Sequence, residues 1–148
     1  MQNFKILNTN DFPFEKDSDL KSLSKKIGKV DLLLSQFSYA AWKGGRENIA
    51  WREKASTEKL ENLVKQSDFL KCKKIIPFAS FIFFSNKENF YLNDSINTPM
   101  KVKKYFSNSS TKTFFMKPFE KQLVKNLKQS DESLKYWEDK FKNIKDYI

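Results

Sequence analysis

Three short β-type runs, separated by stretches of helical periodicity, constrain this chain more than any other feature. Phe4-Lys5-Ile6-Leu7 alternates, Val30-Asp31-Leu32-Leu33-Leu34 is mostly apolar, and Lys74-Ile75-Ile76-Pro77-Phe78 forms a third run. A mostly apolar run is the type of strand buried under helices in a parallel sheet. Parallel strands need a crossover of roughly a dozen residues or more, and both intervening segments are long enough for one. Strand–helix–strand–helix–strand order therefore predicts an α/β fold.

The helices announce their ends. Asp17 or Ser18 can cap a first helix with Leu20, Leu23 and Ile27 on one face, and Gly28 stands where the chain would leave it. A second helix is expected over residues 46–70, with a break near Ser56 and Leu60, Leu63 and Val64 on one side. Thr98-Pro99 reads as a cap followed by proline at the first helical position. Leu134, Trp137, Phe141 and Ile144 recur at three- and four-residue steps after Asp131, which predicts an amphipathic C-terminal helix. Residues 80–84 continue the third strand or start an adjoining segment, and residues 111–116 form a last strand. No internal repeat or linker interrupts the pattern.

A length of 148 residues suits one domain. Aromatic residues make up 16% of the chain, which excludes a solvated, disordered polymer. Residues 75–84 are too short to span a bilayer and contain Pro77 and Ser80. No signal-type apolar segment follows Met1, and Cys72 is the one cysteine, so neither a disulfide framework nor a cysteine zinc site is expected. These readings point to a cytoplasmic protein without membrane association. Cys72, between lysines, reads as a bystander whose pKa the flanking charge would lower.

The chain contains no histidine. Ser-His-Asp and Cys-His nucleophile systems and imidazole metal sites are excluded. The net charge is +10, yet only Arg46 and Arg52 among the 28 basic residues are arginines. Lysines are spread along the chain, with local clusters at Lys71/Lys73/Lys74 and Lys101/Lys103/Lys104. Lysine is a flexible point charge rather than a bidentate reader of bases, so only nonspecific attraction to nucleic acid is expected.

In open α/β sheets, ligands gather beyond the carboxyl ends of the strands. Three polar clusters follow the predicted strands. Asn8, Asn10 and Asp11 lie in the first, and Gln36, Ser38, Tyr39 and Trp42 in the second. Ser85, Asn86 and Asn89 form the third. All are candidate pocket-lining residues. Each also has a plainer reading as a turn, cap or loop-packing residue, since Asn and Asp bond their own backbone. Asn89, Asn93-Asp94 and Asn97 read as turn and capping residues, or the asparagine amides among them line a polar cleft.

Taken in order, Asn8-Thr9-Asn10-Asp11, Asp31-Leu32-Leu33-Leu34-Ser35-Gln36-Phe37-Ser38-Tyr39-Ala40 with Trp42 and Gly44, and Ile76-Pro77-Phe78-Ala79-Ser80-Phe81 running to Ser85-Asn86-Lys87-Glu88-Asn89 carry a resemblance. Residues 4–99 resemble the C-terminal half of a metallo-β-lactamase-fold, metal-dependent hydrolase. The similarity is to the branch holding ascorbate-lactonase-like hydrolases and the CMP-N-acetylneuraminate hydroxylase catalytic domain. The resemblance implies half of an αββα sandwich, taken over residues 1–118, and the amphipathic periodicity of the tail makes residues 119–148 a helical extension packed on it. It places Asp11 where the family has a carboxylate that binds or bridges zinc or iron. Ala79 and Asn86 stand where relatives carry late histidines, and the first half, with its His-x-His-x-Asp-His cluster, is absent.

One carboxylate cannot hold such a metal, because stable sites use three or four protein ligands. The expectation is a partial hydrolase domain that is not catalytic alone and carries no cofactor in isolation. A histidine-bearing half would complete it for metal-dependent hydrolysis of an ester, lactone or phosphoester. Its expected partner is that complementary N-terminal half, or further copies of itself. The alternative is a basic, noncatalytic interaction module that binds a protein partner or a polyanion. A metal-free enzyme is a third class, but no paired-carboxylate motif stands out for it.

Overall fold

The computed structural model describes residues 4–12, 14 and 16–144; Pro13 and residues 145–148 lie outside them. Four strands, β1 (Ile6–Asn8), β2 (Leu32–Ser35), β3 (Lys74–Pro77) and β4 (Lys112–Thr113), form one sheet in the order β1-β2-β3-β4. Every neighbouring pair is parallel, with Leu7 beside Leu33 and Leu33 beside Ile75. The helices are α1 (Asp17–Ile27), α2 (Ile49–Phe69), α3 (Pro99–Tyr105) and α4 (Asp131–Lys142). A 3-10 helix at Phe90–Ser95 precedes α3, and a 3-10 turn at Val124–Asn126 precedes α4.

Successive crossovers that step the same way across a sheet, each right-handed, bring their helices to one face. The core reflects this arrangement. Leu33 and Ile75 are buried with Leu60 and Leu63 of α2 and Val102 of α3, and Leu23, Ile27, Leu134 and Trp137 pack around them. Four helices thus share the face that presents Leu7, Leu33 and Ile75. By strand alternation the opposite face carries Ile6, Leu32, Leu34 and Ile76. Residues 117–130 run irregularly there: the Lys74 ammonium reaches the Lys125 carbonyl at 3.3 Å, and Leu123 and Val124 bound a cavity of about 450 Å³ with Phe4 and Ile6. Coverage is incomplete: Leu32 is buried and Leu34 and Ile76 half-buried, but Ile6 is 48% and Leu123 76% exposed.

Local chemistry explains the helix limits. α1 has Asp17 and Asp19 in its first turn and Lys25 and Lys26 in its last, each favourable to the helix dipole. Its cap position is Lys16, without a side-chain cap bond, and Gly28 ends it at φ +69° with its N–H on the Ser24 carbonyl. Thr98 caps α3 through Oγ1, which accepts from the Lys101 N–H at 3.2 Å, and Pro99 follows as expected. Ser130 caps α4 in the same manner.

Four expectations change, the first being the α1 cap, which falls at Lys16 rather than at Asp17 or Ser18. α2 is unbroken at Ser56, whose hydroxyl is buried and donates to the Asn97 Oδ1 at 2.6 Å, so it does not compete for the helix backbone. Residues 80–84 form no strand, because the backbone turns at Ala79, where φ is +55°. Of residues 111–116 only Lys112–Thr113 pair with the sheet.

Candidate functional site

The carboxyl ends of β1, β2 and β3 meet at one sheet edge. Past β1 the chain folds into a turn in which Asn8 Oδ1 accepts from the Asn10 N–H at 2.9 Å. Asp11 follows at φ +49°, a left-handed conformation that L-residues seldom adopt. Past β3, Ala79 is strained in the same sense. Between them, β2 ends at Ser35 with Gln36 following, and the Thr9 N–H joins the Leu34 carbonyl at 2.9 Å.

A polar cleft of about 310 Å³ opens here between the strand ends and α2. Its floor is Gln66, whose Oε1 accepts from Thr9 Oγ1 at 2.6 Å and Ser35 Oγ at 3.1 Å. On one wall, the Lys59 ammonium donates to Gln36 Oε1 at 3.0 Å, and Gln36 Nε2 donates to Asp11 Oδ1 at 2.8 Å. The other oxygen of Asp11 accepts from Asn10 Nδ2 at 3.0 Å. The second cation, Lys43, enters from the loop between β2 and α2. Burial holds the Lys59 pKa below the usual lysine range; the nearby Lys43 charge lowers it further, and Asp11 offsets part of this.

Behind the cleft, a buried polar network fixes that loop. Asn97 is fully buried, and its Nδ2 donates to the Phe37 and Ser56 carbonyls, both at 2.7 Å. Its own N–H donates to Ser38 Oγ at 2.9 Å. The Tyr39 hydroxyl donates to the Leu92 carbonyl, and burial is the main cause that pushes its pKa up to about 12. Arg52, fully buried, grips Asp94 through Nε at 2.8 Å and Nη2 at 2.7 Å while donating to the carbonyls of Gly45 and Arg46.

The sequence candidates therefore divide. Gln36 lines the cleft, with Asp11 behind it. Asn8 lines a separate groove against α1. Ser38 and Tyr39 are buried and engaged with backbone. Trp42 is exposed and meets Trp51 edge-on at 5.7 Å. Ser85 and Asn86 are exposed, with Asn86 Oδ1 accepting the Glu88 N–H. Asn10 and Asn89 each bury an Oδ1 that has no partner among the described residues. Asn93 holds the Phe84 and Phe90 carbonyls, and Asn97 is buried with its amide bound to the Phe37 and Ser56 carbonyls. Cys72 is buried and its thiol pKa is raised, not lowered, because desolvation outweighs its backbone hydrogen bonds and the charge of Lys29.

Sequence reasoning passed over Lys59 and Gln66. Their signal was present, since Lys59, Asn62 and Gln66 recur at three- and four-residue steps beside the apolar stripe of α2.

The donor set does not suit a transition metal. No group of three or more histidine, cysteine, aspartate or glutamate side chains is placed to hold an ion among the described residues. Both Asp11 oxygens are already engaged by amides. Among the described residues, no helix is long and apolar enough to cross a membrane. No protein-family model matches the chain, nor does any curated protein or any solved structure.

Proposed function

We propose that this chain is a noncatalytic half of a metallo-β-lactamase-type αββα sandwich that docks a second, histidine-bearing half on its partly covered sheet face. The observation that carries this reading is the one-sided placement of the helices. All four lie against Leu7, Leu33 and Ile75, while the other face has only an irregular segment and leaves Ile6 half exposed. A sheet whose second apolar face is covered only in part favours a further layer. The ordered motifs of the family, including an acidic residue at position 11, agree with such descent, and the lack of histidine agrees with inactivity in isolation.

The test is co-expression with the histidine-bearing N-terminal half of a metallo-β-lactamase-fold lactonase, followed by metal analysis of both the pair and the chain alone. An equimolar complex that binds zinc, and that Ile6→Lys disrupts, is expected. Stoichiometric zinc or iron in the chain alone, or a complex indifferent to Ile6→Lys, overturns the reading.

A second reading has its own observation. Lys74, Lys103, Lys112 and Lys128 surround a groove of about 670 Å³ at the amino ends of β3 and β4, faced by Asp131 alone among acids. This juxtaposition suits a polyanion. Retention on heparin above physiological salt would favour it, and release below that point leaves only diffuse charge attraction.

A further inference from the structure

The geometry points to the cleft at the carboxyl ends of β1 and β2 as a binding site for a small ligand bearing a carboxylate or phosphate group, held between Lys59 and Lys43. The site does not depend on the sandwich reading, for every group in it belongs to this chain.

Three observations converge on it. The first is an excess of donors at the cavity, with the Lys43 ammonium also lying 6.0 Å from the Trp51 ring centroid. Lys59 and Lys43 both line it, and the one hydrogen bond the Lys59 ammonium makes among the described residues is to a neutral amide oxygen. An ammonium has three donors, so two remain. Gln66 adds another: its Oε1 is saturated by the hydroxyls of Thr9 and Ser35, which leaves Nε2 without a partner among the described residues.

The second is the absence of a direct counter-charge on Lys59. The one carboxylate whose charge acts on it, Asp11, is reached only through Gln36. Glu58 also lines the cleft, but its side chain is 55% exposed and lies 3.9 Å from Lys54. Burying an ammonium without an ionic partner is costly, and an entering anion would remove that cost. The third is the preset geometry. Asp11 fixes the Gln36 amide so that its oxygen faces Lys59, and the two hydroxyls fix Gln66 from below. A polar cleft with oriented donors at the carboxyl ends of parallel strands is where such sheets take ligands.

The ligand class follows. Acceptor-rich, anionic groups match two ammonium groups and an amide N–H, and a cavity of about 310 Å³ limits the ligand to a small molecule. A planar carboxylate and a tetrahedral phosphate share this chemistry, and the experiment separates them.

The experiment titrates the purified chain with inorganic phosphate and, separately, with malonate. Amide chemical shifts are followed by NMR at fixed physiological ionic strength. Saturable shifts concentrated at Thr9, Gln36, Lys43, Lys59 and Gln66 are expected with at least one probe, and the tighter probe identifies the head group. Lys59→Met keeps the aliphatic stem and should weaken that binding at least about tenfold, the loss of one charge-assisted contact. Lys112→Met, in the distant lysine groove, should leave it unchanged. Should Lys59→Met not fold, Lys43→Met supplies the same comparison from the loop side. No saturation with either probe overturns the proposal. So do shifts centred on the Lys74–Lys112 groove, or equal affinity in the Lys59 and Lys112 variants.

Discussion

Replacing Asp94 with alanine tests how the loop beside the cleft is held. The carboxylate accepts three hydrogen bonds from Arg52, two from Nε at 2.8 and 3.0 Å and one from Nη2 at 2.7 Å. Arg52 has essentially no exposure, whereas the Asp94 side chain keeps about a third of its own. Removing one partner of a buried pair costs about 3–5 kcal/mol, because the survivor stays charged and desolvated. Water can enter beside Asp94, and two guanidinium donors still hold the Gly45 and Arg46 carbonyls. Both effects bring the expected loss down to about 2–3 kcal/mol.

For a domain of this size that lowers the melting temperature by roughly 4–12 °C. Urea unfolding followed by tryptophan fluorescence measures it, and a cycle with Arg52→Met isolates the pair. The double variant should be less destabilised than the two single losses added together, because the stranded cation is gone. A loss below about 0.5 kcal/mol for Asp94→Ala, the range of an exposed ion pair, would refute this reasoning. The same pair sets an acid limit. The Arg52 hydrogen bonds hold the Asp94 carboxyl below the usual carboxylate range. Its contribution is complete above the unfolded-state pKa and disappears as pH falls through the depressed folded value.

Leu63→Ala removes a side chain with no exposure from the contact of α2 with the sheet and should cost about 2–5 kcal/mol in the same urea assay. Tyr39, with its pKa raised to about 12 from 10.0, stabilises the fold fully below pH 10 and loses that contribution as pH climbs toward 12. Tyr39→Phe should flatten this part of the alkaline stability profile, measured by thermal melting at stepped pH. Ala79→Gly should stabilise by about 1 kcal/mol, since glycine adopts φ +55° without a Cβ penalty, and a raised urea midpoint would register it.

The sequence made legible whatever depends on local chemistry or simple periodicity. The Val30–Leu34 run became β2 with a shift of a residue or two, and Thr98-Pro99 opened α3 where the cap and the fixed proline φ require it. Gly28 closed α1 because the left-handed exit favours a residue without Cβ. What stayed hidden are polar side chains whose role is set by a distant partner. Arg52 lies 42 residues from Asp94, and Ser56 lies 41 from Asn97. Nothing in a helical window says that a polar position faces inward. One clue was compositional, for an arginine in a lysine-dominated chain marks a place where the guanidinium fork is needed. Gln36 was legible because strand ends are where such sheets gather polar groups, whereas Lys59 required the packing of α2 across that edge.

Asp11 and Ala79 set local stability against the shape of the edge they share. Both hold left-handed backbone at the ends of β1 and β3, and glycine would relieve the strain at either. The consequences differ. The Ala79 side chain is a single exposed methyl, so replacement by glycine removes strain and little else. Asp11 anchors Gln36, which in turn presents its oxygen to Lys59. Asp11→Gly would relax the backbone while releasing the amide that aims the ammonium into the cleft. The strain at position 11 therefore accompanies an oriented polar chain, and the strain at position 79 accompanies only a turn out of the sheet. Strain that persists with an oriented side chain is the kind expected where an edge is shaped for a ligand. If Asp11→Gly stabilised the chain as much as Ala79→Gly and left phosphate and malonate binding intact, this distinction would fail, and the carboxyl edge would be turn chemistry alone.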